Sequence, residues 1–408
     1  MSCTKKNDMM DRRKFLIESA KISGLMAGCL AINPATTYSR PSNLKITDIR
    51  GCTIAANYDY PIIKIYTNQD VYGWGEVRDA GHLGQALMLK PYLIGKDPLD
   101  IVHIMETIRP FTGHGRYGGG FSAVDMALFD ISGKVLGVPA YKILGTTTGG
   151  RISSRKVRDQ VPQYCDTHGT ENKEVYKRYM ERRLAKGYQH FKMDLYSSLL
   201  RPVEGAQSGG LPTQKGLEVW GEYVEMVRDT IGYKVHLGAD HFGRMTVETG
   251  VGLGKIMAEP QYNLSYIEDV VGFKSQNAIN IMKQITAGSP TPTLGYEDIF
   301  GLEGFKPFIE EHAVAIIHPD METSGGLLET RRIADYADLY GIPTMFHCAG
   351  SPIGSIAMVH CASTIRNFIS QENHALEMPW WEDLITGIEK PIIQYGGYIT
   401  VSEKPGLG

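Results

Sequence analysis

Residues 234–240 read KVHLGAD, a short apolar run that ends in an acid, and His241 follows it. Five more apolar runs that end in polar residues occur between residues 190 and 348. They are HFKMD (190–194), LSYIED (264–269), PTLGYED (292–298), AVAIIHPD (313–320) and IPTMFHC (342–348). Amphipathic stretches such as LLETRRIADYADLYG (327–341) separate them. Strands that alternate with helices predict an α/β fold with a parallel sheet covered by helices.

The number of these units favours a closed barrel over an open sheet. The alternation runs from residue 161 to residue 378, which is enough chain for a complete (β/α) barrel. An open, doubly wound sheet needs a glycine-rich phosphate loop near its first strand, and no G-x-G-x-x-G occurs there. We therefore predict a modified TIM barrel over residues 161–378.

A different pattern precedes the barrel. Short, partly alternating runs at 44–55, 61–67 and 71–77, separated by turn residues, predict an antiparallel meander. Helical patterns follow, notably FSAVDMALFDISGKVLG (121–137), whose apolar residues recur at helical spacing before Gly137 and Pro139. Residues 42–160 are therefore predicted to form an α+β domain.

The first 35 residues differ in character from the rest. Arg12 and Arg13 precede Lys14-Phe15-Leu16, and the apolar stretch at 22–32 is too short to span a bilayer. We interpret residues 1–35 as a twin-arginine-like export signal, which predicts an exported, periplasmic protein. LMAGC (25–29) resembles a lipobox, so a lipid anchor at Cys29 stays open as the one predicted contact with a membrane.

Composition narrows the class of function. The 408 residues are 42% hydrophobic and 21% charged with a net charge of -3, which is typical of a globular protein. No basic stripe or aromatic ladder is present, so nucleic acid is not expected as a partner. Beyond the leader the cysteines are isolated, without C-x-x-C, and we expect free thiols. They are Cys52, Cys165, Cys348 and Cys361.

Six polar side chains recur at intervals of about one strand-plus-helix unit. They are Asp240, Glu268, Glu297, Asp320, His347 and Glu377, separated by 28, 29, 23, 27 and 30 residues. If each ends its own strand, all six project onto the rim where barrel enzymes carry out their chemistry. A single acid after a strand is often only the N-cap of the next helix. Six in succession favour a functional site.

The residue types at this rim predict a metal site beside an acid–base pair. Three buried carboxylates would repel one another without a counter-ion. All-oxygen ligation by Asp240, Glu268 and Glu297 suits Mg²⁺ better than zinc. Asp320 and His347 form a second pair, in which a carboxylate fixes the tautomer of the imidazole and leaves the other nitrogen as a general base or acid.

The chain resembles the enolase superfamily, and within it the mandelate racemase subgroup and its sugar-acid dehydratases of the galactonate type. The resemblance rests on Asp240, Glu268 and Glu297, on HPDMETSGGLLETRRIADYA (318–337) and on GIPTMFHCAGSPIGSIAMVH (341–360). It covers residues 44 to about 390 and includes GGGFSAVDMALFDISGKVLGVPAYKILG (118–145). It implies that residues 42–160 cap the barrel, that residues 379–408 return to the cap, and that the chain forms a homo-oligomer.

The resemblance also implies roles for individual residues. The three acids would hold Mg²⁺, and His347 with Asp320 would be the acid–base dyad. Glu377 would bind near the substrate carboxylate, and Lys192 matches the first lysine of a K-x-K motif that contacts this carboxylate. Asp194 stands where racemases of this subgroup have a second lysine, which argues against two-base racemisation.

The role of His241 and the substrate-binding set are left open by the sequence. If the strand ends at Asp240, His241 can turn back over the rim and act catalytically; if the strand continues, His241 packs between barrel and helices. Substrate contacts are expected from the loops of the cap and from the long loop after the second barrel strand, YSSLLRPVEGAQSGGLPTQKG (196–216). The candidates are Tyr58, Arg78, His82, His114, Arg116 and Asp194.

These expectations combine into one function with two alternatives. We expect a Mg²⁺-dependent dehydratase that removes the proton α to the carboxylate of a sugar acid and expels the β-hydroxyl, giving a 2-keto-3-deoxy acid. A cycloisomerase or epimerase acting on a sugar acid or lactone would use the same first step. An exported sugar-acid binding protein without turnover is the alternative of another class.

Overall fold

The computed structural model describes residues 43–145, 147–148, 151–152, 156–242, 245–274 and 277–408. The predicted export signal, residues 1–35 with Cys29, lies outside the described residues. None of the helices in the described part of the chain has the length and apolar character needed to cross a membrane.

An antiparallel sheet opens the described chain. Its strands are β1 (Ile46–Ile54), β2 (Tyr60–Thr67) and β3 (Tyr72–Glu76), in that order. A Cβ atom on Gly73 or Gly75 would lie 2.0 Å from a carbonyl oxygen of the long helix over Gly119–Leu136, at Ala127 or Ala123. The glycines of YGWGE therefore allow the strand to lie directly against the helix backbone.

The helices follow the sheet and later alternate with the barrel strands. They are α1 (Gly84–Leu87), α2 (Lys90–Leu93), α3 (Ile101–Ile108), α4 (Gly119–Leu136), α5 (Ala140–Ile143), α6 (Lys173–Ala185), α7 (Gln214–Ile231), α8 (Val247–Met257), α9 (Ala278–Gly288), α10 (Gly301–Glu310), α11 (Met321–Ser324), α12 (Gly326–Leu339) and α13 (Pro352–Ala362). The predicted helix of the cap is thus present, and Gly137 ends it with a φ of 65°.

Within the described residues, eight parallel strands close into a barrel because the last pairs with the first. After a short hairpin, β4 (Thr147–Thr148) and β5 (Arg151–Ile152), the first barrel strands are β6 (Gln160–Cys165) and β7 (His190–Asp194). A second hairpin, β8 (Gln207–Ser208) and β9 (Leu211–Pro212), precedes the rest. The remaining strands are β10 (His236–Asp240), β11 (Tyr266–Glu268), β12 (Thr293–Gly295), β13 (Ile316–Ile317), β14 (Thr344–Phe346) and β15 (Phe368–Asn373). A final strand, β16 (Tyr398–Thr400), pairs antiparallel with β6.

The interior of the barrel is filled below the rim. Tyr164, Tyr266, Leu294, Ile316 and Met345 form a buried cluster there. Gly238 makes room for it, since a Cβ atom on Gly238 would lie 2.0 Å from the Tyr266 ring. The floor closes the barrel, so chemistry is confined to the carboxyl ends of the strands.

The predicted fold class is confirmed, and one strand end was misplaced. The barrel and the preceding antiparallel sheet are both present. The eighth strand ends at Asn373, however, and Glu377 lies in the 3-10 turn Ala375–Glu377 that follows. The domain boundaries at residues 42, 160, 161, 378 and 379 stay predictions.

Glu76, at the end of β3, joins the N-terminal sheet to a barrel helix. Its buried carboxylate accepts hydrogen bonds from Ser351 N (2.8 Å), Ser351 Oγ (2.5 Å) and Gly354 N (2.9 Å), at the first turn of α13. Burial raises the pKa of Glu76 to about 7, even though these donors lower it. The side chain thus caps a helix from a distant part of the chain.

We expect Glu76→Ala to lower the free energy of unfolding by about 3 kcal/mol, because it leaves buried donors of α13 without an acceptor. Urea unfolding followed by circular dichroism measures this. Glu106→Ala is the matched control, since Glu106 is a mostly exposed acid of α3. Equal urea midpoints for the two variants would show that Glu76 does not join these elements.

Candidate active site

A polar cavity of about 290 Å³ opens at the carboxyl ends of the barrel strands, under residues of the N-terminal region. This volume is near the lower limit of small-molecule sites, about 300 Å³. The cavity is lined by Tyr58, Asp79, Arg116, Asp166, Lys192, Asp240, His241, Asp269, Glu297, His347, Ala349, Glu372 and His374. A larger groove of about 710 Å³, bordered by Arg182, Trp381 and Tyr395, contains none of the strand-end acids. The smaller cavity is therefore the candidate active site.

His347 and Asp320 meet as the sequence predicted. Nδ1 of His347 lies 2.7 Å from Asp320 Oδ2, and both side chains are buried. The Asp320 carboxylate also accepts a hydrogen bond from Glu322 N (2.6 Å), which fixes its orientation. Because Nδ1 faces a carboxylate, Nε2 is the nitrogen left to act on a substrate in the cavity.

Arg78 is the unexpected third member of this pair. Its guanidinium is fully buried, donates to Asp320 Oδ2 and lies against His347 Nδ1. It also pairs with Glu297 Oε1 at 2.7 Å. Burial, and then Arg78, lower the pKa of His347 well below its ordinary value. The imidazole is therefore neutral near pH 7, which is the form a base needs.

Of the three acids predicted to hold the metal, Asp240 and Glu297 line the cavity, and Glu268 is buried on the strand between theirs. Asp240 Oδ2 and Glu268 Oε2 lie 3.4 and 3.3 Å from Lys192 Nζ. Carboxylate oxygens of Glu268 and Glu297 lie within 4.8 Å of each other. Burial, and then the neighbouring carboxylate of Asp240, raise the pKa of Glu268 well above its ordinary value. Burial also raises the pKa of Glu297 to about 7, against the effect of Arg78.

These residues fit a divalent cation. The carboxylate of Glu268 is fully buried; His318 Nδ1 lies 2.9 Å from Oε1 and Lys192 Nζ lies 3.3 Å from Oε2, but neither contact has good hydrogen-bond geometry. Asp269 adds a fourth carboxylate to this side of the cavity, with a φ of 43° and one oxygen that is also without a partner. A cluster of oxygen ligands that repel one another is the arrangement that Mg²⁺ stabilises.

Lys192 is a fixed cation at the centre of the site. Its Nζ lies 2.7 Å from Glu372 Oε1, in addition to its contacts with Asp240 and Glu268. Burial alone would lower the pKa of Lys192, but Glu268 and Glu372 outweigh it and raise this pKa well above its ordinary value. Lys192 is thus protonated, which suits binding of an anion better than removal of a proton.

His241 turns back over the rim. It has a φ of 65°, so the strand ends at Asp240 and the imidazole lines the cavity. Nε2 of His241 lies 3.6 Å from Asp194 Oδ1, and its ring packs on Tyr196 at 4.8 Å. Burial would lower the pKa of His241, but Asp240 and Asp194 outweigh it and raise this pKa. His241 is therefore placed for contact with a ligand and not packed behind the barrel.

The predicted substrate-binding residues divide into two groups. Tyr58 and Arg116 line the cavity, as expected. His82 and His114 are exposed and do not line it; they accept hydrogen bonds from Gly84 N and Phe300 N. Asp194 is buried below His241 and accepts from Tyr196 Oη at 2.8 Å, so it supports the wall without lining it.

Glu377 is also not in the cavity. Its carboxylate pairs with Arg183 of α6, on the outer side of the strand end. The acid that the last barrel strand contributes is Glu372, which the sequence analysis missed together with Asp166 and His374. The pattern that identified the other strand-end residues is also present for these residues. FISQEN (368–373) and QVPQYCD (160–166) both end an extended run with polar residues.

Family models match both parts of the chain. The N-terminal domain of the mandelate racemase / muconate lactonizing enzyme family matches residues 35–145, and an enolase C-terminal domain-like model matches residues 175–408. The chain belongs to the mandelate racemase / muconate lactonizing enzyme family. Membership in the enolase superfamily, predicted from the sequence, is thereby confirmed, and the family is one of enzymes.

The proteins that are similar to this chain include sugar-acid dehydratases. D-xylonate dehydratase of Haloferax volcanii is 32% identical, over 89% of this chain and 86% of the relative. A D-galactonate dehydratase family member of Salmonella enteritidis is 30% identical, over 90% and 91%. The crystal structure of a mandelate racemase/muconate lactonizing enzyme-like protein from Rubrobacter xylanophilus superposes with a TM-score of 0.79 at 25% identity, covering 90% of this chain and 95% of that one.

The predicted localisation is wrong in the light of these relatives. The two relatives described above each match about nine tenths of this chain. One is named a D-xylonate dehydratase and the other a D-galactonate dehydratase family member. Neither name describes an exported or lipid-anchored protein. The assignment to the periplasm, which rested on residues 1–35 alone, is therefore corrected. The predicted homo-oligomer stays a prediction.

Proposed function

We propose that this protein is a Mg²⁺-dependent hydro-lyase that dehydrates a sugar acid to a 2-keto-3-deoxy acid. One observation carries the proposal: the His347–Asp320 pair lies beside the carboxylates of Asp240 and Glu297 in one polar cavity, and Glu268 is buried on the strand between theirs. His347 Nε2 is 3.2 Å from Glu297 Oε2, so the base and the predicted metal ligands face the same part of the cavity. The names of the D-xylonate and D-galactonate dehydratase relatives support the same reaction class.

Asp240, Glu268 and Glu297 would hold Mg²⁺, which, when bound, supplies Lewis-acid stabilisation of the charge that develops on the substrate carboxylate. Lys192 binds the same carboxylate through its protonated Nζ. This orientation presents the α-carbon to His347 Nε2, which takes the proton while Asp320 stabilises the resulting imidazolium.

Loss of the β-hydroxyl completes the reaction. The electron pair of the former α C–H bond forms a carbon–carbon double bond as the β C–O bond breaks. The proton held by His347 goes to the departing hydroxyl, so water leaves, and the enol becomes the 2-keto-3-deoxy acid. Ejection of hydroxide without a proton would be slow, which is why one group that serves first as base and then as acid suffices.

A second reaction class is favoured by one feature, the position of His241. It lines the cavity from β10, whereas His347 lines it from β14. Two imidazoles at different walls would allow removal of a proton at one face and return at the other, as in an epimerase, or ring opening as in a cycloisomerase.

Solvent exchange distinguishes these reactions. We expect that a panel of sugar acids, incubated with the protein and Mg²⁺ in D₂O, yields at least one keto acid that semicarbazide detects. Deuterium at C2 of recovered substrate, without keto acid, would identify an epimerase. A chelator in place of Mg²⁺ is the control and should abolish the signal. If every sugar acid is recovered unchanged and unlabelled, the proposed function is wrong.

A further inference from the structure

Glu322 is a buried carboxyl group behind the dyad, and the proposed reaction assigns no task to it. It lies in the first turn of α11, two residues after Asp320, and its side chain is fully buried. Its backbone N–H donates to Asp320 Oδ1 at 2.6 Å. The position of Glu322 therefore bears directly on the orientation of the dyad acid.

The Glu322 carboxyl group has no hydrogen-bond donor in the described part of the chain. Both of its oxygens, Oε1 and Oε2, are buried there without a partner. An ionised carboxylate in such a place loses its hydration and gains no donor in return, which costs far more than burial of the neutral acid. The surroundings thus favour the protonated form of Glu322.

Glu322 faces Glu76 across two glycines at the start of α13. A Cβ atom on Gly354 would lie 1.8 Å from Glu322 Oε1 and 3.0 Å from Glu76 Oε2. A Cβ atom on Gly350 would lie 2.6 Å from Glu322 Oε1 and 3.1 Å from Glu76 Oε1. Because glycine has no side chain, two carboxyl groups fit side by side here. Two like charges this close in a buried place cannot both be ionised near neutral pH.

The hydrogen-bond donors decide which of the two acids keeps the proton. Glu76 accepts from Ser351 N, Ser351 Oγ and Gly354 N, whereas Glu322 accepts from no described residue. Donors stabilise the ionised form of a carboxyl group. Glu76 is therefore the anion of the pair and Glu322 the neutral acid. In agreement, burial, and then Glu76, raise the pKa of Glu322 well above its ordinary value.

The other charged and titratable groups around Glu322 do not reverse this assignment. Arg78 is the cation among them and lowers the pKa of Glu322, but its guanidinium is already paired with Asp79, Glu297 and Asp320. The groups that face Glu322 from β2, from the end of β3, from its own element and from the end of β14 are Tyr60, Glu76, Arg78, Asp79, Asp320 and Cys348. Most of them are acids, so their combined effect opposes ionisation of Glu322.

We propose that Glu76 and Glu322 form a pH-sensitive clasp between the N-terminal sheet and the barrel, which holds Asp320 in place while Glu322 keeps its proton and loosens when Glu322 ionises. Loss of this proton to solvent leaves two anions that repel each other, one on β3 and one on α11. Because Asp320 is the N-cap of α11, movement of this helix disturbs the dyad. The link to activity rests on the proposed function, whereas the effect on folding does not.

The sign of the pH dependence follows from the raised pKa of Glu322. In the unfolded chain Glu322 loses its proton near the ordinary value of 4.5, whereas in the folded protein it keeps the proton to a higher pH. Between these two values unfolding releases one proton, so the folding equilibrium constant of wild type falls by about tenfold per pH unit on this account. Glu322→Gln has a neutral side chain of the same shape and lacks this loss.

Urea unfolding of the full chain with Mg²⁺, from about pH 5 to about pH 9, tests the clasp. We expect Glu322→Gln to match wild type near the acid end and to become progressively more stable than wild type as the pH rises. Glu322→Met should show the same difference in slope. Glu181→Gln, which changes an exposed acid of α6, is the matched control and should follow wild type. The infrared C=O stretch of a protonated carboxylic acid should also be present in wild type near neutral pH and reduced in Glu322→Gln.

Equal pH slopes for wild type and Glu322→Gln, or an infrared band that the substitution leaves unchanged, would overturn the clasp. Turnover of a sugar acid tests its link to the dyad: the loss of kcat at alkaline pH should move up by about 1 pH unit or more in Glu322→Gln, with KM within about 3-fold of wild type. An alkaline limb that does not move would overturn this link. A changed unfolding slope in a protein that makes no keto acid would refute the dehydratase and keep the clasp.

Discussion

His347→Asn is expected to lower kcat by about 10³-fold while Mg²⁺ binding stays within about 3-fold of wild type, because only the proton-transfer group is removed. The amide of asparagine can still meet Asp320 but has no basic nitrogen at the position of Nε2. Burial and Arg78 keep the imidazole of His347 neutral in the folded protein. This substitution removes that imidazole.

Turnover of the best sugar acid and calorimetric titration of Mg²⁺ measure the two quantities. His312→Asn is the matched control: His312 is exposed and has a φ of 49°, a backbone conformation that asparagine tolerates. The control should retain full activity. If His347→Asn keeps more than about a tenth of the wild-type kcat, a group outside the dyad moves the proton.

Loss of a group that only hydrogen-bonds a metal ligand weakens metal binding by roughly 10–100-fold. Glu268→Gln is expected to weaken Mg²⁺ binding by more than this, since a predicted ligand itself is removed. Activity at moderate Mg²⁺ should fall with it. Glu268 is the sharpest test of the three acids because it is fully buried and neither oxygen makes a hydrogen bond of good geometry.

The same substitution distinguishes a ligand from a structural acid. Without metal, Glu268→Gln removes a repulsion with Asp240 and also an ion pair with buried Lys192, and these two effects on the unfolding temperature of the metal-free variant oppose each other. Mg²⁺ should then raise the melting temperature of wild type but not of the variant. Equal stabilisation of both by Mg²⁺ would show that the ion binds elsewhere. Glu259→Gln, outside the cavity, is the control and should behave as wild type.

The barrel was predictable because a short stretch of sequence specifies each strand and the residue that ends it. Runs such as HFKMD and KVHLGAD combine extended apolar patterning with a strand-end acid, and the observed strands β7 and β10 end at those acids. The pairing of Asp320 with His347 followed from the same regularity. Their spacing matched one strand-plus-helix unit, so their contact needed no knowledge of the loops.

The remaining part of the site depends on geometry that spacing does not encode. Glu377 stood at the expected interval, but a 3-10 turn intervenes and Glu372 is the residue that reaches the cavity. The direction of His241 depended on a single backbone angle. Arg78 was predicted to bind substrate, yet the contact between the N-terminal region and the rim buries it against the dyad, a long-range arrangement that no local pattern shows.

The account depends on one divalent ion shared by Asp240, Glu268 and Glu297, and anomalous diffraction from a crystal grown with Mn²⁺ tests this most directly. We predict one strong peak, bound by an oxygen of each of the three carboxylates, with His347 Nε2 facing the open side. No peak at these acids, or a peak held by Asp166, Glu372 and His374 instead, would contradict it.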